Sequence, residues 1–487
     1  MHPNTMNKQK FTKNIIYIAI ITIALALQKF FLIPILTKNL GTELYGVWTN
    51  IINTVLLLCA VGSIGMGPTI VRFFSGENDK KKISKDFLLI FIFVFFSTTL
   101  LSVLCYLFSS TIALYILQNI NYAFLIKISC ILIILESWNA IIITLYKALK
   151  LFKTYTYIYV SYAIAELFFF WYILSNNLGL ISLIIASIIL KALLVIVGLS
   201  ITKLKLGLYM PTTKRIKTYL LYGLPLTLTP FYNWVIRVSD QYIIGFFYGA
   251  KQIGIYSLHY SLAFLLFNLT YIALFVLSPT ITRFWEENKL QELREFMNFS
   301  YKYIMMLLIP SIIGYFVLYD GVIINIATSE FISTNILLLV LALTIIFASI
   351  YSLSQNILFL LKKTKIINYI TLSGAIFNII LNIILVPYIG ILGAAVSTLI
   401  TFTILMILNL IYTRKHYKFD FMIKTIIKFT IAAIIMGVVI YPFKSINLFS
   451  LIIQILLGAI VYFIILYFLK VIKKEEIKFF LILYKKN

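Results

Sequence analysis

The chain has 487 residues, of which 62% are hydrophobic and only 12% charged, and its mean hydropathy is +1.02. No water-soluble core hides that share of apolar side chain, so a soluble globular fold is excluded and the solvent of this chain is lipid. A net charge of +25 would suggest nucleic acid in a soluble protein, but the 41 Lys and Arg lie between hydrophobic segments rather than on one patch. Their role is topological first, and no nucleic-acid partner is expected.

Lys8, Lys10 and Lys13 precede an apolar run over 14–37. The run is too long for a secretory signal and no small-residue cleavage site follows it, so it reads as the first span. Apolar stretches of about 20 residues, the length that crosses a bilayer core, then recur at 44–67, 87–109, 123–146, 154–176 and 179–202. After a basic loop come 218–248, 253–281, 303–326, 334–361, 366–388 and 390–413, and after another, 423–443 and 446–470. The expected fold is an all-α integral membrane protein of about 14 transmembrane helices. Between the eighth and ninth spans, Glu286 to Phe299 sets Leu290, Leu293 and Phe296 among alternating charges, the pattern of an amphipathic helix on the membrane surface. The tail after Lys470, with Lys473, Lys474 and Lys478 among Ile and Phe, reads the same way. Cys59, Cys105 and Cys130 fall inside or at the edge of spans without a CxxC pairing, and there are three His. No disulfide framework, structural zinc or other cofactor is expected.

Lys and Arg alternate between successive loops, as the positive-inside rule requires. One side receives the N-terminus, the 72–86 and 203–217 loops, Lys147/Lys150/Lys153, Arg283 to Lys302, Lys362/Lys363/Lys365, Arg414 to Lys424 and the C-terminal tail. The other has Lys38, Lys251 and Lys444. Both termini are therefore expected in the cytoplasm. The outward loops are short, which counts against a membrane glycosyltransferase or polymerase, whose acceptor site needs a sizeable outer loop.

Two halves of the chain match at an offset of about 208 to 212 residues, the signature of a duplicated transporter. Gly41-Thr-Glu-Leu-Tyr-Gly46 matches Gly249-Ala-Lys-Gln-Ile-Gly254, Arg72-Phe73 matches Arg283-Phe284, Lys150/Lys153 match Lys362/Lys365, and Gly179 to Ser182 matches Gly390 to Gly393. Both copies of each pair lie on the same side, so the repeat is parallel. Two pseudo-symmetric six-helix lobes follow, an N-lobe over 1–210 and a C-lobe over 211–415, with spans 13 and 14 and a cytoplasmic tail over 416–487.

A charge near the middle of a span costs several kcal/mol, so such a group faces a cavity or a partner. This chain has Lys29, Glu136, Glu166, Lys191, Arg237 and Asp240 there, and at offset 208 Lys29 falls on Arg237. On the functional reading, a water-filled cavity presents Lys29, Arg237 and Lys191 to an anionic headgroup such as a pyrophosphate; Arg offers a planar fork and Lys a point charge. On the structural alternative, three cations balance three carboxylates: Arg237 pairs with Asp240 at i, i+3, and Lys29 or Lys191 pairs with Glu136 or Glu166. Glu136 and Glu166 are also candidate proton or cation sites. Asn378 and Asn382, at i, i+4, either line the cavity for sugars or join helices. Pro34, Pro225, Pro310 and Pro387 mark kinks. No P-loop, GxSxG or metal-ligand cluster is present, so nothing here hydrolyses ATP.

The stretches Leu40 to Trp48, Gly65-Met66-Gly67 with Arg72-Phe73, Gly223-Leu224-Pro225-Leu226, Asp240 with Gly245 and Gly249, Gly254-Ile255-Tyr256, and Asn378 to Asn382 with Pro387, Gly390 and Gly393 resemble the polysaccharide flippases of the multidrug/oligosaccharidyl-lipid/polysaccharide exporter superfamily. The resemblance covers roughly the first 410 residues. It implies a two-lobed alternating-access protein of the bacterial cytoplasmic (inner) membrane. Such a protein moves an undecaprenyl-diphosphate-linked oligosaccharide outward for O-antigen, capsule, exopolysaccharide or teichoic acid, with polysaccharide polymerase machinery as a partner. It also implies basic cavity residues for the diphosphate: Lys29, Arg237 and Arg72 at the cytoplasmic mouth. A lipid II flippase and a drug/cation antiporter of the same fold remain alternatives, the latter disfavoured by the cavity lysines and the two extra spans.

Overall fold

A computed structural model describes residues 3–207, 209–414, 417, 420–443 and 447–471. Lys444 and the tail residues Lys473, Lys474 and Lys478 lie outside them. The described residues form helices and connecting turns without a strand. In chain order the helices are α1 (Pro3–Gly62), α2 (Met66–Phe74), α3 (Lys80–Leu107), α4 (Ser109–Tyr115), α5 (Ala123–Ala148), α6 (Phe152–Ser175) and α7 (Gly179–Leu206). They continue as α8 (Ile216–Glu286), α9 (Leu290–Val317), α10 (Tyr319–Ile326), α11 (Asn335–Leu360), α12 (Thr364–Thr413), α13 (Ile423–Ile440) and α14 (Leu448–Phe468). Among the described residues, ten helices are long and apolar enough to cross a membrane by length and composition.

The longest helices are not straight crossings. Gly41 in α1 (φ 68°, ψ −178°) and Gly249 in α8 (φ 73°, ψ −174°) sit in a backbone region that only glycine enters cheaply. α12 breaks at Ile389 and Gly390 (φ 60°, ψ −144°). Each break falls where the sequence separates two spans.

The duplication is visible element by element. α3 and α9 each have 28 residues and start 210 residues apart, and α5 and α11 each have 26. α4 and α10 are short helices leading to single 3-10 turns, Ile120–Tyr122 and Ser329–Phe331. Lys150 and Lys362 close the helices before them with the same left-handed φ of 56°. The copies also differ. The first breaks at Ile64 and Gly65, releasing α2, whereas α8 runs on to Glu286. The segment 286–299 is not a separate surface helix: from Leu290 it forms the first turns of α9. Of its apolar residues Leu293 and Phe296 are buried in protein, Phe296 edge-on to Phe284 at 5.8 Å, while Leu290 at the start of the helix is exposed.

By contacts the chain divides into Met1–Ser257 and Leu258–Asn487, the boundary falling inside α8. In the first unit α5 is the central helix, packed on α1, α2, α3 and α7, while α6 lies against α1 and α7. In the second, α11 packs on α12 and α9, and α13 on α9 and α14. Pro310 in α9 has no N–H for the Met306 carbonyl four residues back. The Tyr462 hydroxyl of α14 donates to that carbonyl at 2.9 Å, so the defect in one helix is repaired by another.

Candidate functional site

The polar side chains of the first unit gather where α1, α5, α6 and α7 meet. Lys191 of α7 pairs with Glu136 of α5 at 2.7 Å, both half-buried, and its ammonium lies 4.9 Å from the centre of the Tyr162 ring. The Tyr162 hydroxyl donates to Glu166 Oε1 at 2.6 Å, and Gln28 Nε2 donates to the other carboxylate oxygen. Asn139 accepts a hydrogen bond from Tyr159. Lys29, next to Gln28, is exposed and within electrostatic reach of Glu166. Local structure explains the gathering. Glu166 follows Tyr162 by one turn of α6, and the helices carrying Gln28, Glu136 and Lys191 pack around it.

A second polar seam joins α1 to the first part of α8. Asn53 donates to Gln241 Oε1 at 2.8 Å, Thr54 bonds Tyr242 at 2.6 Å, and the Trp234 indole donates to the Asn53 carbonyl at 3.2 Å. Arg237 is half-buried on this stretch. Asp240, one turn on, is fully buried; it accepts from the Gln241 N–H at 2.8 Å and from the Tyr256 hydroxyl. Because Gly249 lies between Asp240 and Tyr256, that bond ties the two arms of α8 across the break.

Beside the seam the backbones touch. A Cβ added at Gly46 would sit 1.9 Å from the Ala250 carbonyl oxygen, and one added at Gly254 would sit 1.9 Å from that of Thr42. Thr49 and Ser257 meet at 3.3 Å. At an offset of 208 Gly46 maps onto Gly254, Thr42 onto Ala250 and Thr49 onto Ser257, so the first glycine contact maps onto the second and the contact is reciprocal in the repeat.

The remaining expected residues, Arg72, Asn378 and Asn382, are carried by α2 and α12 rather than by the α1, α5, α6 and α7 of the cluster. Arg72 is exposed near the end of α2. Asn378 and Asn382 are fully buried in α12 of the second unit; Asn378 donates to Thr401 at 3.3 Å, and Asn382 donates to the Asn378 carbonyl at 2.8 Å. The Asn378–Thr401 bond joins the two arms of α12 across its break, whereas the Asn382 bond stays within one arm. Sequence reasoning missed Gln28, Asn139, Tyr159 and Tyr162. Gln28 carried a usable signal, a lone amide inside an apolar run beside Lys29; tyrosines in spans are too common to carry one.

A sequence profile for the family described as "Polysaccharide biosynthesis protein" matches residues 35–335. The chain is 27% identical over 236 residues to the probable low-salt glycan biosynthesis flippase Agl15 of Haloferax volcanii, covering 48% of this chain and 49% of that protein. The chain thus spans about half the length, or less, of the curated relatives it matches. Among solved structures, the lipid II flippase MurJ in an inward closed conformation superposes with a TM-score of 0.76 at 21% identity, over 93% of this chain and 98% of that one. An inward-facing multidrug resistance MATE family transporter of the MOP superfamily gives 0.62 at 12% identity, over 82% and 97%. These likenesses show the fold.

Proposed function

The chain belongs to the polysaccharide biosynthesis protein family, and from that premise we propose that it is a flippase carrying an undecaprenyl-diphosphate-linked oligosaccharide from the cytoplasmic to the outer leaflet by alternating access. The lobes are 1–210 and 211–415, with 416–487 appended; on this reading α1, α8 and α12 cross twice each and α3, α5, α6, α7, α9, α11, α13 and α14 once, fourteen crossings with both termini in the cytoplasm. The observation that carries the reading is the Gln28–Lys29–Glu136–Glu166–Lys191 cluster, a charged patch in helices that are otherwise apolar.

In that cluster Lys191 is already neutralised by Glu136, whereas Lys29 is exposed. Lys29 on α1 and Arg237 on α8 are therefore the residues we assign to the diphosphate, the Arg as a planar fork and the Lys as a point charge. Gln28 and Tyr162 engage both oxygens of the Glu166 carboxylate. The lipid tail stays in the bilayer while the head moves between the lobes. Moving about two negative charges outward across 100 mV, inside negative, yields about 5 kcal/mol, so ATP is not needed. The product feeds O-antigen, capsule, exopolysaccharide or teichoic acid assembly in a bacterial cytoplasmic membrane, beside polymerase machinery.

The test is transbilayer movement of a labelled undecaprenyl-diphosphate oligosaccharide in proteoliposomes under an imposed potential. Potential-sensitive movement is expected for the wild type and not for Lys29→Ala/Arg237→Ala. Equal movement in both removes the site assignment. Exchange of an organic cation for protons, with no glycan moved, replaces the flippase by an antiporter.

A further inference from the structure

A second concentration of charge lies in the unit Leu258–Asn487, far along the chain from the residues assigned to the diphosphate. A cavity of about 650 Å³ opens where α9, the start of α13 and the end of α14 converge. Four lysines from these three places line it, Lys302, Lys424, Lys428 and Lys470, against one carboxylate, Asp420. Asp420 is turned to the backbone, accepting from the Met422 N–H at 3.0 Å. Lys302, almost wholly buried, donates to the Val471 carbonyl at 2.8 Å, and Lys428 donates to that of Leu469 at 2.9 Å. Lys428 thus caps the end of α14, where a cation is favourable, and Lys302 holds the chain just beyond it. Lys424 and Lys470 are exposed and form no ion pair among the described residues.

Lys424 stands in the first turn of α13, the end of a helix where a cation is least welcome. That turn has no acidic residue and no side-chain cap, in contrast to α3, whose first turn is capped by Asp79. Among the described residues, four lysines thus face one carboxylate, and Lys424, Lys470 and the first turn of α13 have no anionic partner. An apolar groove of about 250 Å³ runs between the same three helices, lined by residues such as Met306, Pro310, Met436, Ile440, Gly458 and Phe463. At 1.5 Å per residue the groove lies roughly 10–20 Å along the helices from the lysines, about the depth of one bilayer leaflet. A free phosphate would use the lysines and leave the groove idle.

We propose that this cavity binds the phosphodiester headgroup of an anionic membrane phospholipid, whose acyl chain lies in the groove beneath it. The orientation proposed above puts this lipid in the cytoplasmic leaflet; binding itself does not depend on that orientation or on transport. The seated lipid ties α13 and α14 to α9, so it is a structural ligand of the appended helices, distinct from the transported one.

The experiment is native mass spectrometry of the full chain in detergent, titrated with dioleoyl phosphatidylglycerol or dioleoyl phosphatidylcholine. Phosphatidylglycerol is expected to bind about tenfold tighter, and Lys424→Gln/Lys470→Gln to abolish that preference without changing the Tm in phosphatidylcholine. A preference retained in the variant overturns the proposal, as does displacement of the lipid by millimolar glycerol 3-phosphate, which would make this a site for free phosphate esters. Should the variant not fold, photoactivatable phosphatidylglycerol on the wild type decides: cross-links to 302, 422–428 and 470–471 support the site, and cross-links elsewhere overturn it. Lipid binding that persists in Lys29→Ala/Arg237→Ala separates this site from the flippase reading.

Discussion

Lys29 and Lys191 looked equivalent as residues in a sequence, each a lone cation in an apolar run. Packing separates them: Lys191 is bound to Glu136 at 2.7 Å, and Lys29 is exposed. Lys191→Ala leaves a half-buried carboxylate unpaired and is expected to cost about 3 kcal/mol, read as a lower Tm, most of which Lys191→Met/Glu136→Met restores. Lys29→Ala is expected to leave the Tm unchanged and to abolish glycan movement. The same pair of measurements therefore distinguishes the structural cation from the substrate cation. Which lysine finds a carboxylate was not legible in the sequence, because pairing depends on how α5, α6 and α7 rotate against one another. Existence and depth of the charges were legible, since lipid leaves few places for them.

Elements were legible to the extent that their boundaries had physical causes. The glycine at each break, Gly41, Gly249 and Gly390, stood in the repeat and punctuated the spans. The fusion of the amphipathic segment with α9 was not, because its Leu293 and Phe296 suit a membrane surface as well as a protein one. At this scale the backbone contact of Gly46 with Ala250, and of Gly254 with Thr42, is the most sensitive joint. Adding a methyl there cannot be absorbed by a side-chain rotation, because the obstructing atom is a carbonyl oxygen. Gly46→Ala is expected to destabilise the observed state by about 1–3 kcal/mol, and a fall in Tm in thermal unfolding checks it. Tyr462→Phe withdraws the hydroxyl that serves the Met306 carbonyl above Pro310; a loss of about 1 kcal/mol is expected.

For the whole molecule, the alternation of basic loops makes a directional statement. Cysteines placed at Lys80 or Lys363 are expected to react with an impermeant maleimide only from the inside, and one at Lys251 only from the outside. The native Cys59, Cys105 and Cys130 are buried and give little background. Reversed labelling would invert the proposed direction of transport. The reciprocal glycine contact also carries a history. Thr42 with Gly254 and Ala250 with Gly46 are one interaction written twice, which is how an isologous homodimer interface is built. A chain of half this length would make the contact with a second copy of itself, and any substitution in it would be felt twice. Joining the copies ended that obligation. Asn53 and Gln241 form an amide pair whose counterparts 208 residues away are Ser261 and Ile33, and Ile33 offers no polar atom in its side chain to answer with. Fusion thus let one side of the axis acquire a polar bond that the other side never had to copy.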